Sequence, residues 1–498
     1  MRRSLFLALL AFVALTPSAD LVAANPDTTA AEASGAAPAD TTARGPLLDS
    51  TAAAVEDVLA DPDLPRAIWG IYVTDLASGR TILSRNADLT LLPASTMKLL
   101  TTATALDALG ADYRYTTRLY HLGEASGATL TGDLVIRGAG DPTFGSEWVS
   151  ADPLQAWAEA LFESGVRRIE GRIIGDDDRF EDVAYAEGWD VSHIATESYA
   201  PATGGLAWND NMLDVRFRRG QPSVEPDGLV EFVTDIAAGR SGGGRLQVSR
   251  VVGTNQIQLS GTVPSGYNGT IEIPVENPTL YAAAAFAERL AEAGIAVDAE
   301  IVDGDALPRP PSYGASEPLR AYVSPPLRDI IERINRASDN LYAEHLFRTL
   351  SSSGSTEASA RRVKDFLAEA GASTDGLSIV DGSGLSRKDL ITPEALGALL
   401  AYMHTHEASV AFRRSLPQGG GAGSTLRNRM GGVPVRAKTG SLMAVRGLAG
   451  YVDGPRGEPL AFVLMANNYT TRGGRITQAM DRIVRALSTG QRVPADEE

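Results

Sequence analysis

The apolar residues of this chain fall into short β-like runs and longer helical stretches that follow one another along most of its length. Two runs at 68–73 and 81–83, joined by a Ser-Gly turn, predict a β-hairpin. The pattern from 95 to 109 is helical and is stopped by Gly110. The C-terminal part predicts helices over 327–336, 342–350, 358–370 and 393–404, strands over 435–441, 446–452 and 460–466, and a last helix over 476–487.

The middle of the chain has a different pattern. Residues 116–199 alternate short β-like runs with Gly/Asp turns and one helix, and residues 200–275 contain no good helix. A helix returns at 277–294, and prolines at 308, 310 and 311 mark a linker at 307–318. We therefore predict an α/β (α+β) domain with an antiparallel sheet flanked by helices. It is formed by 47–115 and 319–490 and interrupted by two β-rich insertions, the first from 116–199 with 276–318 and the second from 200–275.

The N-terminus predicts export. Arg2 and Arg3 precede an unbroken apolar run at 5–15, and small residues follow, so residues 1–24 are typical of a secretory signal peptide. The run is too short to span a membrane, which takes about 20 apolar residues, so we expect no transmembrane anchor. Residues 25–46 lack periodicity and predict a disordered spacer. An exported chain without cysteine fits a bacterial periplasm or cell envelope.

Composition narrows the function classes and singles out a few residues. The chain has 498 residues and a net charge of −17, with no long basic block, which argues against nucleic-acid binding. Of its 45 basic residues only four are lysines, Lys98, Lys364, Lys388 and Lys438. Arginine cannot lose its proton in a protein, whereas a buried lysine can. The positions of the four lysines are therefore informative.

Two of these lysines lie in short motifs with hydroxyl residues. In Ser95-Thr96-Met97-Lys98, helical spacing places the hydroxyl and the amine on one face, where the amine can serve as general base. Lys438-Thr439-Gly440-Ser441 lies in a predicted strand, where glycine permits close approach of a ligand. Taken singly, an exposed helix lysine and a solvated strand lysine are the simpler alternatives.

A third motif, Ser338-Asp339-Asn340, lies between two predicted helices, and on its own Ser338 reads as a helix N-cap. The set and order of the three motifs are typical of class A β-lactamases and penicillin-binding proteins. The chain also resembles the serine D-alanyl-D-alanine carboxypeptidase/endopeptidase family, the class C low-molecular-mass penicillin-binding proteins. The resemblance rests on the stretches 132–142, 381–387 and 423–426 and on the long insertion before Ser338.

The resemblance implies a role for each residue of the three motifs. Ser95 would be acylated, Lys98 would activate it, and Ser338 with Lys438 would relay a proton to the leaving amine. Asn340 would bind the amide carbonyl of the substrate. Lys438, Thr439 and Ser441, which flank Gly440, would bind its terminal carboxylate. The backbone N–H groups of Ser95 and Ser441 would form the oxyanion hole.

The resemblance also implies partners. They are peptidoglycan stem peptides as substrates and β-lactam antibiotics as covalent inhibitors, with no cofactor. Gly188-Trp189 is followed directly by Asp190, whereas the family's acidic residue stands elsewhere in this stretch. A preference for a diaminopimelate-type amine therefore stays open.

Other interpretations have weaker support. A β-lactamase would need a deacylating Glu-x-x-Leu-Asn string, which this sequence lacks, and an inert peptidoglycan-binding module would not need intact motifs. The Gly-x-Ser-x-Gly match at 239–243 precedes a predicted strand rather than a helix, so we expect a loop. The histidines lack metal-ligand spacing, and we interpret Asp176-Asp177-Asp178 as a solvated turn.

Overall fold

The computed structural model describes residues 45–60, 66–226, 228–239, 245–264 and 266–491. The predicted signal peptide, nearly all of the spacer, and most of the 239–243 loop lie outside the described residues. The helices within these ranges are α1 Gly45–Leu59, α2 Met97–Leu109, α3 Pro153–Glu163, α4 Pro278–Glu292, α5 Leu327–Ala337, α6 Asn340–Thr349, α7 Thr356–Glu369, α8 Pro393–Thr405, α9 Ser409–Ser415 and α10 Gly473–Thr489.

Sixteen strands are assigned within the same ranges. They are β1 Ile68–Asp75, β2 Thr81–Arg85, β3 Thr116–Ser126, β4 Thr129–Arg137, β5 Arg168–Asp176, β6 Met212–Arg218, β7 Gln221–Ser223, β8 Glu231–Gly239, β9 Leu246–Arg250, β10 Gln256–Pro264, β11 Gly269–Pro274, β12 Ala296–Asp303, β13 Arg320–Val323, β14 Val435–Leu442, β15 Val445–Asp453 and β16 Pro459–Asn467.

A five-stranded antiparallel sheet joins the two ends of the described chain. Its order is β14-β15-β16-β1-β2, and Ile71 of β1 pairs with Leu464 of β16. Strand β16 is almost entirely apolar because both faces of the sheet are covered. On one face of the sheet, Val463 packs in a hydrophobic core that includes residues of helices α2 and α5 to α8. On the other face, Phe462 packs in a core that includes residues of α1 and α10. The predicted antiparallel sheet flanked by helices is confirmed.

The intervening chain forms three further sheets. A mixed sheet has the order β12-β5-β4-β3-β13, and α3 and α4 pack in the same core as its buried residues. Two three-stranded sheets, β11-β6-β7 and β8-β10-β9, account for the region predicted to be β-rich between 200 and 275. The mixed sheet recruits β13, just beyond the predicted linker. The domain boundaries themselves stay predictions.

The helices and strands predicted for the C-terminal part lie within three residues of the observed ones, whereas α1, α9 and β13 were not predicted. Helix α1 was not predicted because alanine and acidic residues dilute its apolar positions, and α9 has only seven residues. Strand β13 has four residues and depends on its partner β3 for its hydrogen bonds. In the described part of the chain, no helix has the length and apolarity needed to cross a membrane.

Candidate active site

Ser95 lies in a tight turn that β14 presses against. The turn is a 3₁₀ helix, Ala94–Thr96, directly before α2, so the helical pattern predicted over 95–109 begins as a 3₁₀ turn and continues as an α-helix. Residues three apart on a helix share one face, which brings Lys98 of α2 beside Ser95. Gly440 of β14 makes the contact possible, since a Cβ there would lie 2.8 Å from the carbonyl oxygen of Pro93.

Lys98 is completely buried and its amine is surrounded by oxygen atoms. Its Nζ lies 3.2 Å from the Oγ of Ser95, 2.5 Å from the Oδ1 of Asn340 and 2.6 Å from the carbonyl oxygen of Ser383. Burial lowers the pKa of Lys98 to about 8, against the opposing effect of nearby carboxylates, first that of Asp381. The alternative of an exposed helix lysine is therefore wrong.

The Ser338-Asp339-Asn340 motif forms the junction of α5 and α6. Ser338 has a left-handed backbone with φ 63° and ends α5, while the Asp339 carboxylate accepts from the N–H of Tyr342 and caps α6. Asp339, not Ser338, is thus the N-cap. The side chain of Asn340 bridges two parts of the site, because its Nδ2 also donates to the carbonyl of Tyr199 at 2.7 Å.

Lys438 of β14 faces the same junction and is also completely buried. Its Nζ donates to the Oγ of Ser338 and to the carbonyl oxygen of Thr439, both at 2.8 Å. Burial, and then the charge of Lys98, hold the pKa of Lys438 well below its ordinary value. The alternative of a solvated strand lysine is wrong, and the structure brings together two serine–lysine pairs.

These side chains open onto a cavity of about 770 Å³. Its wall contains predicted site residues from all three motifs: Ser95, Ser338, Asn340, Thr439 and Ser441. The rest of the lining comes from the segment between β5 and β6 and from two loops of the C-terminal half, and includes Asp190, His193, Tyr199, Leu385, Arg387 and Met443. A peptide lying in this cavity would therefore contact both parts of the chain.

Sequence reasoning missed several groups that contact the motifs. The Ser383 carbonyl and the carboxylates of Glu344 and Asp381 surround Lys98, but the 381–387 stretch alone indicates only a turn. Glu344 follows Asn340 by one helical turn on α6, and that spacing was the available signal. The indole of Trp189 donates to Asp381 at 2.9 Å, a contact that no sequence pattern indicates.

The acidic run at 176–178 is not a simple solvated turn. Asp176 is only 3% exposed and accepts a hydrogen bond from Tyr313. The carboxylates of Asp177, Asp303 and Asp305 offer oxygens within 4.8 Å of one another. None of these residues lines the cavity beside Ser95.

A serine beside a buried lysine of lowered pKa, with a second lysine–serine pair whose serine lines the same cavity, defines a serine hydrolase of the acyl-transfer type. Comparison with known families agrees with this class. The sequence pattern of the D-Ala-D-Ala carboxypeptidase 3 (S13) family matches residues 51–487. The chain belongs to that family.

Relatives extend the likeness along most of the chain. A D-alanyl-D-alanine carboxypeptidase of Actinomadura sp. (strain R39) is 31% identical, covering 88% of this chain and 84% of its own. The crystal structure of penicillin-binding protein 4 from Haemophilus influenzae has a TM-score of 0.75 at 24% identity, covering 87% of this chain and 99% of that one. The same protein in complex with a β-lactam gives 0.70 at 23%, with the same coverage.

Proposed function

We propose that this enzyme is a penicillin-sensitive D-alanyl-D-alanine carboxypeptidase and/or endopeptidase that acts on peptidoglycan stem peptides through an acyl-enzyme on Ser95. The observation that carries the proposal is the set of three oxygen atoms around the Nζ of Lys98. The family and the β-lactam complex of its structural neighbour support the substrate and inhibitor classes.

Lys98 has the geometry of a general base. A neutral amine carries two N–H bonds and one lone pair. The Oδ1 of Asn340 and the carbonyl of Ser383 accept the two N–H bonds, so the lone pair faces the Ser95 hydroxyl. Because the pKa of Lys98 is about 8, roughly one-tenth of the enzyme holds the neutral base at pH 7.

The reaction then follows from these positions. The Oγ of Ser95 attacks the carbonyl carbon of the penultimate D-alanine and its proton passes to Lys98. The C–N bond breaks as the amine of the terminal residue receives a proton through Ser338 and Lys438, which are hydrogen-bonded at 2.8 Å. Water then hydrolyses the ester and restores the Ser95 hydroxyl.

Strand β14 supplies the groups for binding the substrate. The hydroxyl of Thr439 faces the cavity and is hydrogen-bonded to Thr425 at 2.9 Å, and Ser441 lies two residues further along the strand on the same side. With Lys438 they would hold the terminal carboxylate. The N–H groups of Ser95 and Ser441 would hold the oxyanion, and losing one such donor typically costs about 2.7–4 kcal/mol in the barrier.

The test is covalent labelling of the purified enzyme with a fluorescent penicillin, together with D-alanine release from an acyl-D-alanyl-D-alanine peptide. Ser95→Ala should abolish both, because the nucleophilic oxygen is the only atom removed. Ser84→Ala is the matched control, since Ser84 is an exposed serine on β2 outside the site. Near-normal turnover by Ser95→Ala would contradict the proposal.

The same experiment separates the two alternative functions. A stable adduct with D-alanine release favours the peptidase, and rapid turnover of the penicillin favours a β-lactamase. Absence of any adduct would indicate a non-catalytic peptidoglycan-binding module. We also propose that the enzyme works in the periplasm or cell envelope, where its substrate lies, and detection of a processed chain in that fraction tests this.

A further inference from the structure

A short loop behind Lys98 is organised by one buried carboxylate. Asp381 is fully buried and its oxygens accept from three backbone N–H groups, those of Ser383 at 3.1 Å, Gly384 at 2.6 Å and Ser386 at 2.7 Å. Charge-assisted hydrogen bonds of this kind are stronger than neutral ones. Asp381 therefore fixes the path of the loop that carries the Ser383 carbonyl.

The loop is held against both the base and the turn that carries the nucleophile. The Oε1 of Glu344 accepts from the N–H of Gly382 at 3.0 Å and from that of Ser383 at 2.8 Å, which pins the same peptide from the side of α6. At Gly384, with φ +77°, a Cβ would lie 1.9 Å from the carbonyl oxygen of Ala94. A shift of this loop would therefore move the acceptor of Lys98 and press on the Ser95 turn.

The side chain of Asp381 also accepts from the Ser383 hydroxyl at 3.3 Å and is hydrogen-bonded to Asp389, and a further partner comes from the region between β5 and β6. The Nε1 of Trp189 donates to the Oδ2 of Asp381 at 2.9 Å, and the indole is only 8% exposed. A second tie nearby joins the hydroxyl of Ser386 to the carbonyl of Glu187 at 2.6 Å. Trp189 itself is absent from the wall of the cavity, whereas its neighbours Gly188 and Asp190 belong to it.

We propose that Asp381 and Trp189 are positioning residues for acylation: together they hold the Ser383 carbonyl where it accepts from Lys98 and so aim the lone pair of Lys98 at Ser95. This inference rests on the proposed role of Lys98 as base. It makes the segment that contains Trp189 a part of the machinery that sets the reaction rate, although Trp189 touches no reacting atom.

The charges around Lys98 give the proposal an electrostatic signature. The charged groups that act on its amine are the carboxyls of Asp381, Glu344, Asp339 and Asp389 and the amine of Lys438. The negative charge of Asp381 favours protonated Lys98, and the indole N–H offsets part of that charge. Removing the N–H should therefore raise the pKa of Lys98, whereas removing the carboxylate charge should lower it.

Trp189→Phe tests the role of Trp189, because it removes the indole N–H and keeps an aromatic ring. We expect kcat for D-alanine release to fall about tenfold with little change in KM, since one hydrogen bond to a charged group is lost. On the acid side of the pH profile, the rise of kcat with pH (the acid limb) should move to higher pH. Trp69→Phe is the matched control, since Trp69 is 6% exposed and its indole N–H has no partner among the described residues.

Asp381→Asn tests the role of Asp381. Its rates are divided by the fraction of enzyme that penicillin labels, so that unfolded protein does not count. The amide cannot accept all the N–H bonds, so kcat should fall, but the acid limb should move to lower pH, opposite to Trp189→Phe. A merely structural role would lower the labelled fraction and leave the profile unmoved.

Either an unchanged profile and kcat in Trp189→Phe, or an equal loss in Trp69→Phe, would overturn the positioning role. Wild-type labelling at Ser95 would still stand in both cases, whereas absence of that labelling would refute the proposed function itself.

Discussion

Replacing Lys98 with arginine tests the proposed mechanism most directly, because this chain uses arginine at nearly every other basic position. The substitution preserves a positive charge but removes a group that can lose its proton near neutral pH. Lys98→Arg should therefore acylate slowly even where the protein folds normally. The larger guanidinium would also have to fit where the lysine is completely buried among three oxygen atoms.

The size of the loss follows from the pKa of the base. With a pKa of about 8, roughly one-tenth of Lys98 is neutral at pH 7. Arginine keeps its proton in a protein, so Lys98→Arg has no neutral base to accept the Ser95 proton. The acylation rate should thus fall at least about a hundredfold, within the usual general-base contribution of about 10²–10⁴.

The assay is stopped-flow acylation by a fluorescent penicillin, with circular dichroism to verify folding. Lys364→Arg is the matched control, because Lys364 lies on α7 and its Nζ donates to the carbonyl of Leu377 rather than to a site residue. An arginine can make the same hydrogen bond. If Lys98→Arg acylates as fast as Lys364→Arg, Lys98 is not the base and the mechanism is refuted.

Three further predictions concern the same site. In the wild type, acylation should rise about tenfold per pH unit and level off near pH 8, because only neutral Lys98 accepts the Ser95 proton; a rate independent of pH between 6 and 8 would contradict this. Lys438→Arg places a permanent charge near Lys98, which should lower the pKa of Lys98. The rise of the acylation rate with pH should therefore move to lower pH, and the rate should fall about tenfold or more. Stopped-flow pH profiles test this, and a rise at the wild-type pH would contradict it. Gly440→Ala should separate β14 from the Ser95 turn and abolish labelling in a folded protein, whereas Gly431→Ala, which meets only open space, should label normally.

The fold was largely predictable because its long elements carry strong patterns. The apolar run of β16 and the helical spacing of α5 both survive in the structure: β16 is buried on both faces, and α5 buries Leu327, Ile330, Ile331 and Ile334. The short elements were not predictable, since a strand of four residues such as β13 owes its existence to a partner 200 residues away in the chain. Register and pairing of this kind are tertiary effects.

The site was predictable to the extent that its chemistry resides in rare residue types. Lys98 and Lys438 stood out because the chain contains so few lysines, and both are buried beside serines. Asp381 and Trp189 could not be found in the same way. An aspartate in a glycine-rich turn and a tryptophan after a glycine have many ordinary explanations, and only three-dimensional contact joins them.

The pairing of β1 with β16 affects the order in which parts of the newly synthesised chain can fold. The N–H of Leu92, three residues before Ser95, donates to the side chain of Asn467 at 2.9 Å across 375 positions of sequence. Such a distant contact forms late, since loop closure must precede it, whereas the β3–β4 hairpin forms from neighbouring residues. Until its C-terminal part has been synthesised, a nascent chain lacks both the partner of Leu92 and the strand β14 that carries Lys438, so we expect Ser95 to be unreactive before then.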